Sequence, residues 1–251
     1  MIDLSKSWPL GLGRQNWPFY AAGLVALMVV LSFFDHALSV YAVGQPPDVI
    51  QFFDGFTRWG ESDWILLPTL ALLVICAAAA LIVRRRTFRL AMMELCQLFG
   101  FIFIGVGLPS LITGILKRVI GRSRPPLFHS VGSLGFHPFA RDYLYEAFPS
   151  GHATTAFAAA LVLGVLAPRW FAVALLGAIG IALSRVVTDA HYPTDIIVGA
   201  VMGTLGAYAV RSFFAGRRWS FERGADGTIR QRQLVALARL TRKRRQRGAA
   251  K

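Results

Sequence analysis

Six apolar stretches, too long and too poor in charge for the interior of a soluble domain, constrain this chain more than any other feature. They fall at approximately residues 18–43, 63–83, 90–116, 150–167, 170–188 and 194–214. An α-helix rises ~1.5 Å per residue and the hydrocarbon of a bilayer is ~30 Å thick, so about 20 such residues cross it. Several of the stretches reach that length, and the fourth and fifth are shorter. Only 16% of the residues are charged, against about 25% in ordinary soluble domains. The expected fold is therefore all-α and polytopic: a six-transmembrane-helix bundle over residues 18–215, with a segment 1–17 before it and a basic tail 216–251 after it. The first stretch continues apolar past Asp35-His36, which reads as a retained anchor rather than a cleaved signal.

Orientation follows from Lys and Arg in the connections. Lys6 and Arg14 precede the first stretch, Arg84-Arg85-Arg86 and Arg89 lie between the second and third, and Arg169 lies between the fourth and fifth. These and the tail are expected in the cytoplasm of a bacterial cell, with the protein in the inner membrane. The connection 117–149 breaks the pattern. It carries Lys117, Arg118, Arg122, Arg124 and Arg141, yet alternation places it outside. A positive loop on the wrong side suits an anionic ligand. The first connection, 44–62, is rich in Phe and Trp and reads as either an interfacial helix or an extended loop.

The formal charge of +14 is concentrated at one end. Residues 217–251 hold twelve Lys or Arg and two acids. After a membrane domain such a tail points to an anionic lipid surface and not to nucleic acid. It reads as a short amphipathic helix or as disordered. Cys76 and Cys96 both lie in apolar runs, which argues against a disulfide framework. Asp35 and Glu94 also fall in apolar runs and are expected near the two interfaces.

Three short motifs are expected on one side of the membrane: Lys117-x6-Arg124-Pro125, Pro149-Ser150-Gly151-His152, and Ser184-Arg185-x5-His191-x3-Asp195. Lys117, Arg124 and Arg185 are three cations suited to a phosphoryl group, whose transition state spreads negative charge over its equatorial oxygens. Gly121 and the pre-proline position of Arg124 favour an exit from helix to loop between Lys117 and Arg124. Ser150 is a good N-cap, and Gly151 leaves the free N–H groups of a helix start approachable. His152 stands where it would protonate a leaving oxygen. Pro193 suits the first turn of a helix that carries Asp195. His191 lies four residues before that carboxylate, within reach of giving it the Nδ1 proton and leaving Nε2 as a nucleophile. Each motif alone also has a bland reading: an interfacial cation cluster, an ordinary N-cap, a helix-end hydrogen bond.

Together the three motifs resemble those of the type 2 phosphatidic acid phosphatase (PAP2) family, which shares its site with the vanadium haloperoxidases. The family pattern K-x6-R-P, P-S-G-H, S-R-x5-H-x3-D is met residue for residue and in order, and the resemblance covers roughly residues 50 to 215. It implies His191 as nucleophile, Asp195 as its orienting partner and His152 as the acid. It also implies Lys117, Arg124, Arg185, Ser150 and Gly151 as holders of the phosphoryl oxygens.

The expected activity is hydrolysis of a phosphomonoester or diphosphate on a lipid head group, through a phosphohistidine. No metal or other cofactor is expected, because the cations and a helix N-terminus already offset the charge. Undecaprenyl diphosphate, phosphatidylglycerophosphate, phosphatidic acid and lipid A all fit such a core. The alternative is a lipid-linked phosphotransferase using the same intermediate. A haloperoxidase and a lipid flippase with a vestigial site fit less well. Asp189 reads as a solvent-facing loop carboxylate or as a group acting on water or leaving-group protons, and His129, His137, Asp142 and Glu146 as loop surface or a substrate lip.

Overall fold

The computed structural model describes residues 3–248; Met1, Ile2 and the last three residues of the basic tail lie outside it. Ten helices and one small hairpin follow in order among the described residues. They are α1 (Trp17–Ser32), α2 (Asp35–Val43), α3 (Pro47–Thr57), α4 (Asp63–Ile82), α5 (Arg86–Ile120), α6 (Phe128–Val131), α7 (Gly151–Leu166), α8 (Phe171–Val187), α9 (Pro193–Gly216), the strands β1 (Phe221–Arg223) and β2 (Ile229–Gln231), and α10 (Val235–Gly248).

All six apolar stretches are helical, but they are not six full spans. Four helical stretches are long and apolar enough to cross a membrane: Pro47–Ile82, Arg86–Ile120, Pro168–Val187 and Pro193–Gly216. The pair α1 and α2 makes a fifth only if counted as one broken span, because it bends by 60° at the intervening residues. The fourth stretch, α7, has 16 residues, about 24 Å of helix against ~30 Å of hydrocarbon. It is the inner element of the bundle, packed against α5, α8 and α9, with buried residues from Ala153 to Gly164.

Small residues let these helices approach closely, as they do where lipid supplies no hydrophobic drive for association. A Cβ at Gly203 of α9 would stand 2.2 Å from the Thr154 carbonyl oxygen of α7, and one at Gly199 would stand 2.5 Å from that of Ser150. Hydroxyl pairs add to the α5–α7 contact: Thr113 with Thr154 at 3.1 Å and Ser110 with Thr155 at 3.0 Å.

The chain after α9 is not a loose appendage. Phe221 of β1 is fully buried, its ring 4.6 Å from that of Phe101, and Ile229 of β2 joins the same core cluster. The buried Arg211 donates to the carbonyls of Leu4 and Lys6, and Ile229 N donates to Ser5 O, so the N-terminal segment is bound in as well. α10 follows. Both carboxylate oxygens of Glu94 accept from its first N–H groups, Ala236 and Leu237, at 3.0 Å each. Of the two readings of the tail, the helical one holds. Glu94 thus caps the start of α10.

Candidate active site

The four inner helices alternate in direction. The C-terminal ends of α5 and α8 therefore meet the N-terminal ends of α7 and α9 at one end of the bundle. Helix α5 stops where Gly121 turns left-handed (φ 65°), and a Cβ there would collide with the His137 carbonyl. The chain beyond runs extended as a short strip, residues 122–124. The loop folds back along both its edges: Ser123 N donates to Gly135 O, Arg124 N to Leu144 O, and Ala147 N to Arg122 O. The 33-residue connection that looks irregular in sequence is thus ordered by its own backbone.

Ser150 is the N-cap of α7, with its Oγ accepting from Ala153 N at 3.5 Å, while its own N–H donates to the Asp195 carbonyl at 3.1 Å. Open space lies where a Gly151 side chain would project. Pro193 opens α9, with Asp195 in its first turn. His152 packs under the turn that joins α3 to α4. The missing side chain of Gly60 makes that room: a Cβ there would lie 2.8 Å from the imidazole Cδ2. The first connection is therefore a helix, α3, with a turn that reaches the site. Thr57 at its end accepts from Arg185 Nη1 at 2.8 Å.

His191 sits in the turn between α8 and α9, buried. Its Nδ1 is 2.6 Å from the carbonyl oxygen of Ala147. A carbonyl only accepts, so Nδ1 carries the proton and Nε2 keeps its lone pair. The expected partner, Asp195, is 3.6 Å from Nδ1. It is already engaged: Oδ1 accepts from Arg122 Nη1 at 2.5 Å, and Oδ2 from Tyr192 N at 2.8 Å. The tautomer is right, but a backbone carbonyl sets it. Burial, then the charges of Arg124 and Arg185, hold the imidazole well below its ordinary range.

The cations are held in different ways. Arg124 is buried over the Tyr143 ring, 3.6 Å from its centre. It donates to the carbonyls of Tyr143 (3.0 Å), Ala190 (2.8 Å) and Glu146 (3.2 Å). Arg185 keeps a buried Nε with no partner. Lys117 pairs with Glu146 at 2.7 Å, and Arg118 meets the other oxygen of that carboxylate at 3.3 Å. Burial alone would raise the Glu146 carboxyl; the hydrogen bonds and charges of Lys117 and Arg118 hold it below the usual range.

Two residues were underestimated from sequence. Arg122 looked like one more loop charge. It is buried and bridges Asp195 and Asp35, with Nη2 2.8 Å from Asp35 Oδ2 and Nη1 2.7 Å from the Thr194 hydroxyl. Asp35 is fully buried in protein and also accepts from the Thr194 N–H (3.1 Å) and hydroxyl (2.6 Å). One signal pointed to it: a carboxylate inside an apolar run needs a partner. Asp189 lies half-buried at φ 55°, and burial pushes its carboxyl up. Asp142 caps the turn at Tyr143–Tyr145, and His129 packs edge-on to Phe128 and His36.

The sequence pattern of the PAP2 superfamily matches residues 94–219, half of the chain, and spans all three sequence motifs. The chain belongs to the PAP2 superfamily. It is similar to lipid A 1-phosphatase of Rhizobium johnstonii, 29% identical, with 94% of this chain and 98% of that one aligned. Lipid A 1-phosphatase of Rhizobium etli is 31% identical over 74% of this chain and 78% of its own length. A decaprenylphosphoryl-5-phosphoribose phosphatase of Mycobacterium tuberculosis is 28% identical over 78% and 93%. Among solved structures, the transmembrane PAP2 phosphatidylglycerolphosphate phosphatase of Bacillus subtilis aligns over 76% of this chain and 94% of its own, with 24% identity and a TM-score of 0.47. This PAP2 chain is accordingly a multi-pass membrane phosphatase acting on a lipid head group.

Proposed function

We propose that this PAP2 protein removes a phosphate monoester from lipid A or a similar phosphorylated glycolipid, through a phosphohistidine on His191. The observation that carries the mechanism is the Nδ1 contact with Ala147, which leaves Nε2 as the nucleophilic atom among Lys117, Arg124 and Arg185. Nε2 attacks phosphorus, and the bond to the lipid oxygen breaks. That oxygen takes a proton from His152 and leaves as an alcohol. Water then attacks the phosphohistidine and gives a proton back to His152, the P–N bond breaks, and inorganic phosphate departs. The Arg185 Nε, the Lys117 ammonium and the N–H groups at Gly151 hold the equatorial oxygens. Asp195 stabilises the imidazolium from 3.6 Å and fixes the α9 turn that carries it. These cations offset the charge without a metal.

The glycolipid is favoured by the two Rhizobium relatives, of which one aligns along 94% of the chain. The site faces away from the cytoplasm of the inner membrane. Every catalytic motif is at one end of the bundle, whereas Arg84, Arg85, Arg86, Arg89 and the basic tail are at the other, the end that positive charge retains inside. The tail then lies against anionic lipid of the inner leaflet.

The test is phosphate release in excess EDTA from lipid A, phosphatidic acid, phosphatidylglycerophosphate and undecaprenyl diphosphate, with orthovanadate as inhibitor. Preferential turnover of lipid A, retained in EDTA and stopped by vanadate, is expected. Activity lost in EDTA and restored by magnesium would refute the mechanism. Preference for another lipid would refute the substrate alone.

A further inference from the structure

At the end of the bundle opposite the catalytic motifs, α5, the chain after α9 and the start of α10 enclose a cavity of about 610 Å³. Its lining changes character from one side to the other. Arg86, Arg232 and Arg239 contribute to one part; Leu90 and Met93 of α5 contribute to another. Leu90 and Met93 are 42% and 47% exposed, on the stretch of α5 that enters the bilayer. The side chains of Arg86 and Arg239 make no ion pair or hydrogen bond among the described residues, and Arg232 is engaged with the Arg218 carbonyl and Glu222. Ser220 also lines the cavity; it is 4% exposed and its buried Oγ has no partner. The one carboxylate on the wall, Glu94, has both oxygens occupied by the N–H groups that open α10, which offsets its charge locally.

A buried hydroxyl left without a partner costs free energy unless a ligand or water satisfies it. Two unpaired arginines beside it, above apolar side chains at membrane depth, match one kind of molecule. We infer that the cavity binds the phosphodiester head group of an anionic phospholipid, with Arg86 and Arg239 on the phosphate and an acyl chain along Leu90 and Met93. The lipid would tie α10 to α5 from outside, next to the Glu94 cap. This site is separate from the catalytic one, and a phosphodiester has no monoester for His191 to remove.

The experiment is native mass spectrometry of the full-length protein in detergent, titrated with phosphatidylglycerol or with phosphatidylcholine of the same chains. One phosphatidylglycerol is expected to be retained per chain in preference to phosphatidylcholine. The double variant Arg86→Gln/Arg239→Gln should weaken retention by ~30-fold, the loss expected for two arginines near an anionic surface. The milder Ser220→Ala should weaken it by about three- to tenfold. Both should release phosphate from substrate at the wild-type rate, which also shows that they are folded. Equal retention of the two lipids, or undiminished phosphatidylglycerol binding in both variants, would overturn the inference. Displacement of the lipid by equimolar glycerol phosphate would overturn the acyl-chain part and leave a soluble phosphate compound as the ligand.

Discussion

Glu146 Oε2 lies 2.7 Å from Nζ of Lys117, so a carboxylate of the loop already occupies a cation that we propose holds the substrate phosphate. The two anions compete for one ammonium. Glu146→Gln removes the charge and keeps the shape. KM for the lipid phosphate should fall by about two- to fivefold, the range of a partly exposed ion pair, with kcat little changed. Steady-state kinetics on detergent-solubilised substrate reads this directly. A rise in KM would mean instead that Glu146 holds Lys117 in place.

The Asp35–Arg122–Asp195 bridge ties the first helix pair to the catalytic turn through side chains that are at most 4% exposed. Removing Asp35 leaves Arg122 paired with Asp195 but strands three buried donors: Arg122 Nη2, the Thr194 N–H and the Thr194 hydroxyl. Asp35→Ala should therefore cost about 3–5 kcal/mol of stability. Asp35→Asn keeps one acceptor oxygen for Thr194 and the shape of the side chain, and should cost less. Denaturation midpoints in a single detergent test the order. An Asp35→Ala protein as stable as wild type would show that Arg122 does not depend on it.

The pH behaviour follows from the burial of His191 and the cations around it, which lower its folded-state pKa. The unfolded chain takes up a proton near ~6.5 that the folded site refuses. Stability is thus unaffected by this group above ~6.5 and falls as pH drops below it, by up to ~1.4 kcal/mol per pH unit. Wild type should lose thermal stability below pH 6 more steeply than His191→Asn. Equal slopes would mean that the imidazole titrates freely in the folded protein.

Truncation should depend on where the cut falls. Ending the chain after Gly216 removes Phe221 and Ile229 from the core cluster and should leave protein that unfolds early in detergent. Ending it after Gln233 removes only α10 and should keep phosphate release near wild type. Full activity from the shorter form would show that the hairpin packing is dispensable.

Much of this was legible in the sequence, for physical reasons that differ by residue. The apolar stretches named the helices to within a few residues because periodicity and length are local. Pro193, Ser150 and Gly121 marked helix starts and a stop because capping is chemistry between near neighbours. The count of six spans fails at α7 and, unless the pair bent by 60° is one span, at α1 and α2 as well. A run of small apolar residues reads as a membrane span, whereas here it is a short helix surrounded by protein. The contact of His191 Nδ1 with Ala147 is not legible in sequence, because Ala147 is 44 residues away and acts through its backbone, which no side-chain pattern records; Asp195 stands 3.6 Å from the same nitrogen. Arg122 and Asp35, 87 residues apart, find one another only in the folded chain.

The central claim is that phosphate passes through Nε2 of His191. The most direct measurement is trapping by rapid quench into alkaline SDS, with substrate labelled in its phosphate, followed by peptide mapping at alkaline pH. Wild type should give an acid-labile, base-stable phosphoenzyme on the peptide containing His191. His191→Ala should give none and turn nothing over. His152→Ala should form it slowly, since losing a general acid costs ~10²–10⁴-fold. Label that persists on His191→Ala, or that maps to another residue in wild type, would contradict the account.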